Sequence, residues 1–451
     1  MIKFKQSLTQ NPTKTISLSF LMVLLLGAIL LSLPICNQAE NISFLNHLFV
    51  ATSATCVTGL TPVAIAHQYN VLGQIVIILM IQIGGLGFLT LLLIFFQLLK
   101  KRLSFSSRLL MAEAINQNNL DKVNEYVKYI IQYTFSIEAL GAVCLLPVFL
   151  KDYPFLKAIY FSIFHSISAF CNAGFDLIGS NSIISYQYNP WFLFVIASLI
   201  TLGGIGFLVA KELQEKFRKK HFIQSLSLHT KMVLVMSIGL ILIGAFLIYC
   251  MEFNNAGTIG KMPLIHQITN SLFQSVTYRT AGFASFDQGA MHQSSKLLAC
   301  FIMVIGGSPA GTAGGIKTVT VAALFLAVRA TLQGKSDIVC FNRRIAQEHI
   351  TRALAIICIS LMVIVGSSIV LCLIEPFDMI DLLFEVFSAF ATVGLTCGIT
   401  ASLSVVGKMM IIILMFIGRI GPVAMMLTLM RKHQQNIQNE IKYPKGDIIV
   451  G

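Results

Sequence analysis

Thr55-Cys56-Val57-Thr58-Gly59-Leu60 is the first of four short segments that end in glycine followed by Leu or Phe. The others are Cys171-Asn172-Ala173-Gly174-Phe175, Arg279-Thr280-Ala281-Gly282-Phe283 and Thr392-Val393-Gly394-Leu395. Their glycines lie 115, 108 and 112 residues apart, and each segment stands between two long apolar runs. One unit of apolar run, short segment and apolar run therefore occurs four times in 451 residues, with repeats assigned to 1–108, 109–222, 223–345 and 346–451.

Working outward, hydrophobic residues make up 56% of the chain and charged residues 11%, less than half the charged share of soluble domains. Apolar runs long enough to cross about 30 Å of hydrocarbon lie near 16–34, 72–99, 126–149, 190–210, 229–251, 294–328, 350–374 and 404–430. That gives eight spans, two per repeat, in an all-α polytopic membrane protein. The first follows Lys3, Lys5 and Lys14, but its apolar core of about 18 residues exceeds a signal-peptide h-region and ends in no small-residue cleavage site. It is read as a retained span.

The net charge of +13 is organised by side. With the N-terminus inside, cytoplasmic segments hold 24 of the 32 Lys and Arg. External segments hold Lys151, Lys157, Lys261, Lys296 and Lys408, and Arg279, Lys317 and Arg419 fall at membrane depth. This is the positive-inside bias that orients helices during insertion. Nine acids face outward, Glu375, Asp378 and Asp381 among them, so the outer face draws cations. A nucleic-acid partner is not expected, because the basic residues are accounted for by topology.

Ten cysteines are scattered with no C-x-x-C pair and no Cys/His cluster at metal-ligand spacing, which reads as small buried hydrophobes. An intramembrane enzyme would need a nucleophile with a base, or a metal set. Neither stands in the sequence, so the chain is not read as an enzyme.

Between the spans lie 46–54, 157–170, 265–278 and 381–391, each long enough for two to four helical turns and too short to cross. They are expected to be re-entrant pore helices. Unpaired backbone groups at membrane depth cost several kcal/mol each unless protein or a water-filled cavity surrounds them, so four such elements should converge on one axis. Carbonyls aimed at that axis can replace a cation's hydration shell, and the C-terminal ends of the pore helices add negative potential.

These residues resemble the four filter sequences of the Trk/Ktr/HKT potassium-transporter superfamily, over about residues 15 to 451, and are most similar to its bacterial Ktr membrane subunit. The resemblance implies four membrane-pore-membrane units around a central pore. Its selectivity filter would be Val57, Thr58 and Gly59; Asn172, Ala173 and Gly174; Thr280, Ala281 and Gly282; Thr392, Val393 and Gly394. Their backbone carbonyls would hold potassium. Serine in place of the first glycine is associated with sodium preference in this superfamily, so Gly59 implies potassium.

Gly84-Gly85-Leu86-Gly87 and Gly203-Gly204-Ile205-Gly206 recur 25 and 29 residues after their filter glycines, where small residues let helices pack closely. The third copy, Gly306-Gly307-Ser308-Pro309-Ala310-Gly311-Thr312-Ala313-Gly314-Gly315-Ile316-Lys317-Thr318, is expected to break its helix. Only this one of the four second spans is expected to break. The resulting loop resembles the family's intramembrane gate, with Gly311, Thr312, Ala313, Gly314, Gly315 and Lys317 as gate residues. Ile316 between Gly315 and Lys317 rules out phosphate-loop spacing. The fourth copy puts Arg419 where the others have Gly85, Gly204 and Gly307. It is expected near the middle of its span, facing the cavity below the filter, since an intramembrane charge is by default a functional hypothesis. Arg279 is expected to brace the third filter through an ion pair with an acid such as Glu385, and Asp176 to sit in the outer mouth, either concentrating cations there or standing as a solvated loop charge.

The resemblance further implies a homodimer in the bacterial plasma membrane with both termini cytoplasmic, and a cytoplasmic ring of regulatory subunits that binds the nucleotide. The tail 443–451 would reach the dimer interface. Sodium is a candidate activator, and no covalent cofactor is expected. One cation moving inward down 100 mV releases about 2.3 kcal/mol, enough to sustain a gradient of roughly fortyfold without ATP. The alternatives are a sodium or sodium-coupled carrier, which usually shows inverted repeats, and a non-transporting membrane scaffold.

Overall fold

A computed structural model describes residues 12–40, 42–87, 123–218, 221–335 and 337–421. The tail 443–451 and most of the cytoplasmic stretch 100–125 lie outside the described residues. In repeat one, α1 (Pro12–Ser32) leads to α2 (Phe44–Cys56) and α3 (Val71–Leu86). Repeat two comprises α4 (Val123–Phe149), α5 (Phe155–Phe170), α6 (Pro190–Gly204) and α7 (Phe207–Lys216). Repeat three comprises α8 (Leu228–Glu252), α9 (Leu264–Thr277), α10 (Gln293–Val304) and α11 (Thr318–Leu332). A two-stranded hairpin, β1 (Val339–Cys340) with β2 (Arg343–Arg344), leads to α12 (Gln347–Ile374), α13 (Met379–Ala391) and α14 (Val405–Ile420) of repeat four.

The first helix of each repeat keeps an exposed apolar face and the short second helix is largely buried. Among the described residues, three helices are each long and apolar enough to cross a membrane on their own: Glu125–Phe149, Leu228–Glu252 and Gln347–Ile374. They leave Val143, Leu242, Phe246, Met362 and Ile369 exposed, an apolar belt that only hydrocarbon solvates cheaply. The short helices α2, α5, α9 and α13 instead bury hydroxyls in their last turns. Thr52 and Thr55 donate to the carbonyls of Leu48 and Ala51, and Ser162, in the middle of α5, to that of Ala158, so these oxygens enter the core satisfied.

The short helices close the molecule into a ring. Each packs against the second helix of the preceding repeat: α5 on α3, α9 on α6, α13 on α10, and α2 on α14. Repeat four thus meets repeat one. Within a repeat, α2 packs on α3, α5 on α6 and α13 on α14, whereas repeat three has no comparable pairing of α9 with α10.

The second helices correct one expectation, that only the third span breaks. α3 stops at Gly87 (φ 80°, ψ 134°), α6 bends by 98° into α7 about Gly206 (φ 93°, ψ 134°), and α14 stops at Gly421 (φ 96°, ψ 132°). These are the last glycines of Gly84-Gly85-Leu86-Gly87, Gly203-Gly204-Ile205-Gly206 and Gly418-Arg419-Ile420-Gly421. A left-handed backbone is open to glycine without a Cβ penalty, so helix termination is written into three of the four repeats at one place. The third repeat enlarges the break to the thirteen residues between Val304 and Thr318.

Candidate functional site

Each short helix ends in a left-handed residue two positions before its glycine. Val57, Asn172, Thr280 and Thr392 have φ of 58°, 61°, 68° and 54°, and Gly59, Gly174, Gly282 and Gly394 follow at 106°, 69°, 80° and 94°. For α2, α5 and α13 the termination is hydrogen-bonded alike: Thr58 N donates to Ser53 O, Ala173 N to Ser168 O and Val393 N to Ser388 O, each at 2.8 Å. Three of the four left-handed residues are β-branched, for which this conformation is a genuine outlier costing about 1–2 kcal/mol. Such strain persists where the surroundings over-determine it, and it clusters at functional sites.

The four glycines touch one another's segments in cyclic order. A Cβ on Gly59 would lie 2.7 Å from Ala173 O, one on Gly174 2.7 Å from Ala281 O, and one on Gly282 2.6 Å from Val393 O. A Cβ on Gly394 would collide with Thr58 O and close the circle. Eight of the residues expected at the filter, the four glycines and the residue before each, therefore meet in one ring, and the carbonyl preceding each glycine abuts the glycine of a neighbouring repeat. The Asn172 amide and Thr280 hydroxyl, 3.3 Å apart, link two neighbouring segments. Above the ring a cavity of 320 Å³ is lined by all four glycines and by Thr61, Asp176, Thr396 and Thr400.

Sequence reasoning missed the residues that hold these loops. Ser53 Oγ accepts from Gly59 N at 3.0 Å, and Ser388 Oγ from Gly394 N at 3.0 Å. Ser168 Oγ accepts from Phe175 N at 2.9 Å and lies 2.7 Å from Phe175 O. All three serines stand six residues before their glycine, an offset that would have revealed them. Repeat three has Val276 there, and Thr277 instead donates to Phe283 O at 2.8 Å.

Beneath the ring, Ile305 to Lys317 folds back on itself through a parallel bridge of Ile305 with Ile316. Gly306 N donates to Ile316 O at 2.9 Å and Ile316 N to Val304 O at 3.1 Å. The loop is fastened to repeat two: Ser308 N donates to Gly204 O, Phe207 N to Ala310 O and Thr312 Oγ1 to Phe170 O, at 3.0, 2.9 and 3.2 Å. Lys317 Nζ donates to Ala313 O at 2.7 Å. Gly314 lies against the Thr392 side chain, and a Cβ on Gly315 would be 3.3 Å from Ala391 O, so the loop reaches the underside of the fourth segment. A Cβ on Gly311 would lie 3.1 Å from Gly203 O.

Of two arginines, Arg279 departs from expectation. Arg419 is in the last turn of α14, which Gly421 caps, and residues 422–430 of its expected span lie outside the described residues. Its guanidinium donates to Thr312 O in the loop and to Gly84 O in repeat one, joining the loop to the wall opposite its repeat-two anchors. Arg279 is buried, and its guanidinium donates to Ser237 Oγ at 3.1 Å; among the described residues it pairs with no acid. Glu385 instead accepts from Thr400 Oγ1.

The outer acids are also less free than a charge count suggests. Asp381 pairs with Lys296 at 2.7 Å, Glu375 accepts from Ser404 N at 3.0 Å, and Glu252 accepts from His292 N at 3.0 Å. They fasten helix ends. Asp176 lines the cavity.

Comparison with known proteins accords with this geometry. A family profile described as cation transport protein, TrkH, matches residues 4–441. The chain is 38% identical to the potassium/sodium uptake protein NtpJ of Enterococcus hirae over 98% of this chain and 97% of that one. It is also 38% identical to the Ktr system potassium uptake protein B of Bacillus subtilis, covering 98% and 97%. The crystal structure of the potassium transporter TrkH from Vibrio parahaemolyticus superposes with a TM-score of 0.71 at 16% identity, covering 92% of this chain and 85% of that one. That likeness is one of fold, four membrane-pore-membrane repeats in one chain. The family transports ions and is not a family of enzymes. With a profile covering nearly its whole length and full-length relatives at this identity, the chain belongs to the TrkH cation transport family.

Proposed function

We propose that this chain takes up potassium through a gated, selective pore driven by the membrane potential. The observation that carries the reading is the ring. Four backbone segments, each strained into one conformation and pinned from behind, present carbonyls in cyclic order at glycines that no side chain can replace without collision. Backbone oxygens on a common axis are the chemistry that strips water from a monovalent cation. The buried hydroxyls of Thr58 and Thr392 have no hydrogen-bond partner among the described residues and suit a passing ion or its water.

Directly below, Gly311 to Gly315 with Lys317 is a gate. It blocks the path because it is held by repeat two on one side and by Arg419 on the other, and a cationic guanidinium under the filter opposes outward leak. The passage is taken to run from the outer cavity through the ring to the cytoplasm, with both termini inside, in a bacterial plasma membrane. The names of the relatives support potassium as the cargo, and the Enterococcus relative also names sodium, so sodium is carried as an activator or second cargo. The Ktr relatives belong to named systems with more than one component. That supports a homodimer of this chain on a cytoplasmic ring of nucleotide-binding subunits, with nucleotide bound by the ring alone.

The test is rubidium uptake by a potassium-transport-deficient bacterium expressing this chain with and without a cognate regulatory ring. Saturable uptake that rises with the ring is expected. Absence of cation flux in both cases, with protein verified in the membrane, would refute the reading.

A further inference from the structure

The cavity outside the ring is chemically one-sided. Its lining contains a single carboxylate, Asp176, and no Lys, Arg or His. Asp176 stands two residues beyond Gly174, half-buried, while Asp381, Glu375 and Glu252 are engaged at helix ends. Its Oδ1 accepts from Ile178 N at 3.1 Å and from Gly179 N at 3.4 Å, an Asx turn that fixes the carboxyl group. Its other oxygen has no hydrogen bond or ion pair among the described residues.

We propose that the Asp176 carboxylate forms an outer site that collects a partly hydrated alkali cation before it meets the carbonyl ring. A cleft lined by one sign of charge, with low-dielectric walls, focuses the field and raises the local concentration of the opposite charge. The volume of 320 Å³ holds an ion with much of its water, so this site gathers cations and the ring below discriminates among them. Thr61 and Thr396 line the same space and add polar side chains to it. This inference rests on the pore reading and adds a separate step to it.

The experiment is rubidium uptake into proteoliposomes holding the full chain, as a function of external rubidium, for wild type, Asp176→Asn and Asp176→Glu. Asparagine keeps the oxygen that accepts from Ile178 and Gly179 while removing the charge. The half-saturation concentration for Asp176→Asn is expected to rise about three- to tenfold with an unchanged maximal rate, and Asp176→Glu to stay near wild type. The gap should shrink when impermeant N-methylglucamine chloride is added, because salt screens an exposed charge. An unchanged half-saturation concentration, or a lower maximal rate alone, would overturn the outer site and leave Asp176 as a turn residue. Absence of wild-type flux would instead refute the pore reading on which the site depends.

Discussion

The segments that form the ring and the helices below it follow different rules. In the ring, four segments of different sequence, Val57-Thr58-Gly59, Asn172-Ala173-Gly174, Thr280-Ala281-Gly282 and Thr392-Val393-Gly394, share a left-handed residue two positions before a glycine of positive φ. Below, the repeats diverge. Gly84, Gly203 and Gly418 press against the carbonyls of Thr55, Phe170 and Phe390, each four residues before a ring glycine, whereas Gly306 presses against Gly314 O of its own loop. The third repeat has exchanged a helix-to-helix contact for a contact with the loop. A coordination shell needs equivalent oxygens and tolerates little variation, while a plug needs one element that departs from its counterparts. Symmetry is kept in the ring and given up in the loop beneath it.

The largest effect that could break this comparison is at Gly59. Gly59→Ser forces a side chain into φ 106° and toward Ala173 O, so the preference for rubidium over sodium should fall by at least about tenfold, equivalent to about 1.4 kcal/mol. Competition by sodium in an uptake assay measures it. Unchanged sodium exclusion would mean that the glycines do not set selectivity.

Next in size is the loop. Deleting Gly311 to Gly315 should raise flux severalfold in a variant that still inserts, with selectivity retained because the ring above is intact. Lower or equal flux would assign the loop to packing. Arg419→Gln should act the same way to a smaller degree, since it removes one of the loop's two walls while the bonds to Gly203, Gly204 and Phe207 remain; inward and outward rubidium flux should become more alike. A variant that keeps wild-type flux in both directions would remove Arg419 from the gate.

The smallest effects sharpen the upper half of the comparison. Ser53→Ala or Ser388→Ala leaves the N–H of Gly59 or Gly394 without its acceptor, at about 1–3 kcal/mol for a buried donor. Thermal stability in detergent should fall slightly, and more in the double variant. If neither moves stability nor sodium competition, the loops are held by the backbone alone.

Much of this was legible in the sequence, and for a physical reason. A repeated unit forces four similar segments into one environment, and glycine at a fixed place reports a backbone that excludes Cβ. The first helices were legible because lipid demands an uninterrupted apolar run. The second helices were not, because Gly87, Gly206 and Gly421 sit inside apolar stretches whose hydropathy continues past the point where the helix stops or bends. Arg279 was misassigned for a related reason: sequence offers acids as partners for a buried arginine, but proximity in the fold supplied the Ser237 hydroxyl. The pinning serines were overlooked because serine is common and only its recurrence at one offset sets it apart.

The most direct measurement of the central claim is rubidium influx into proteoliposomes of purified chain under an inside-negative potential, competed in turn by potassium and by sodium. The ring predicts saturable influx that potassium inhibits at concentrations at least about tenfold lower than sodium does. No influx, or equal inhibition by the two ions, would contradict a backbone filter built from these four segments.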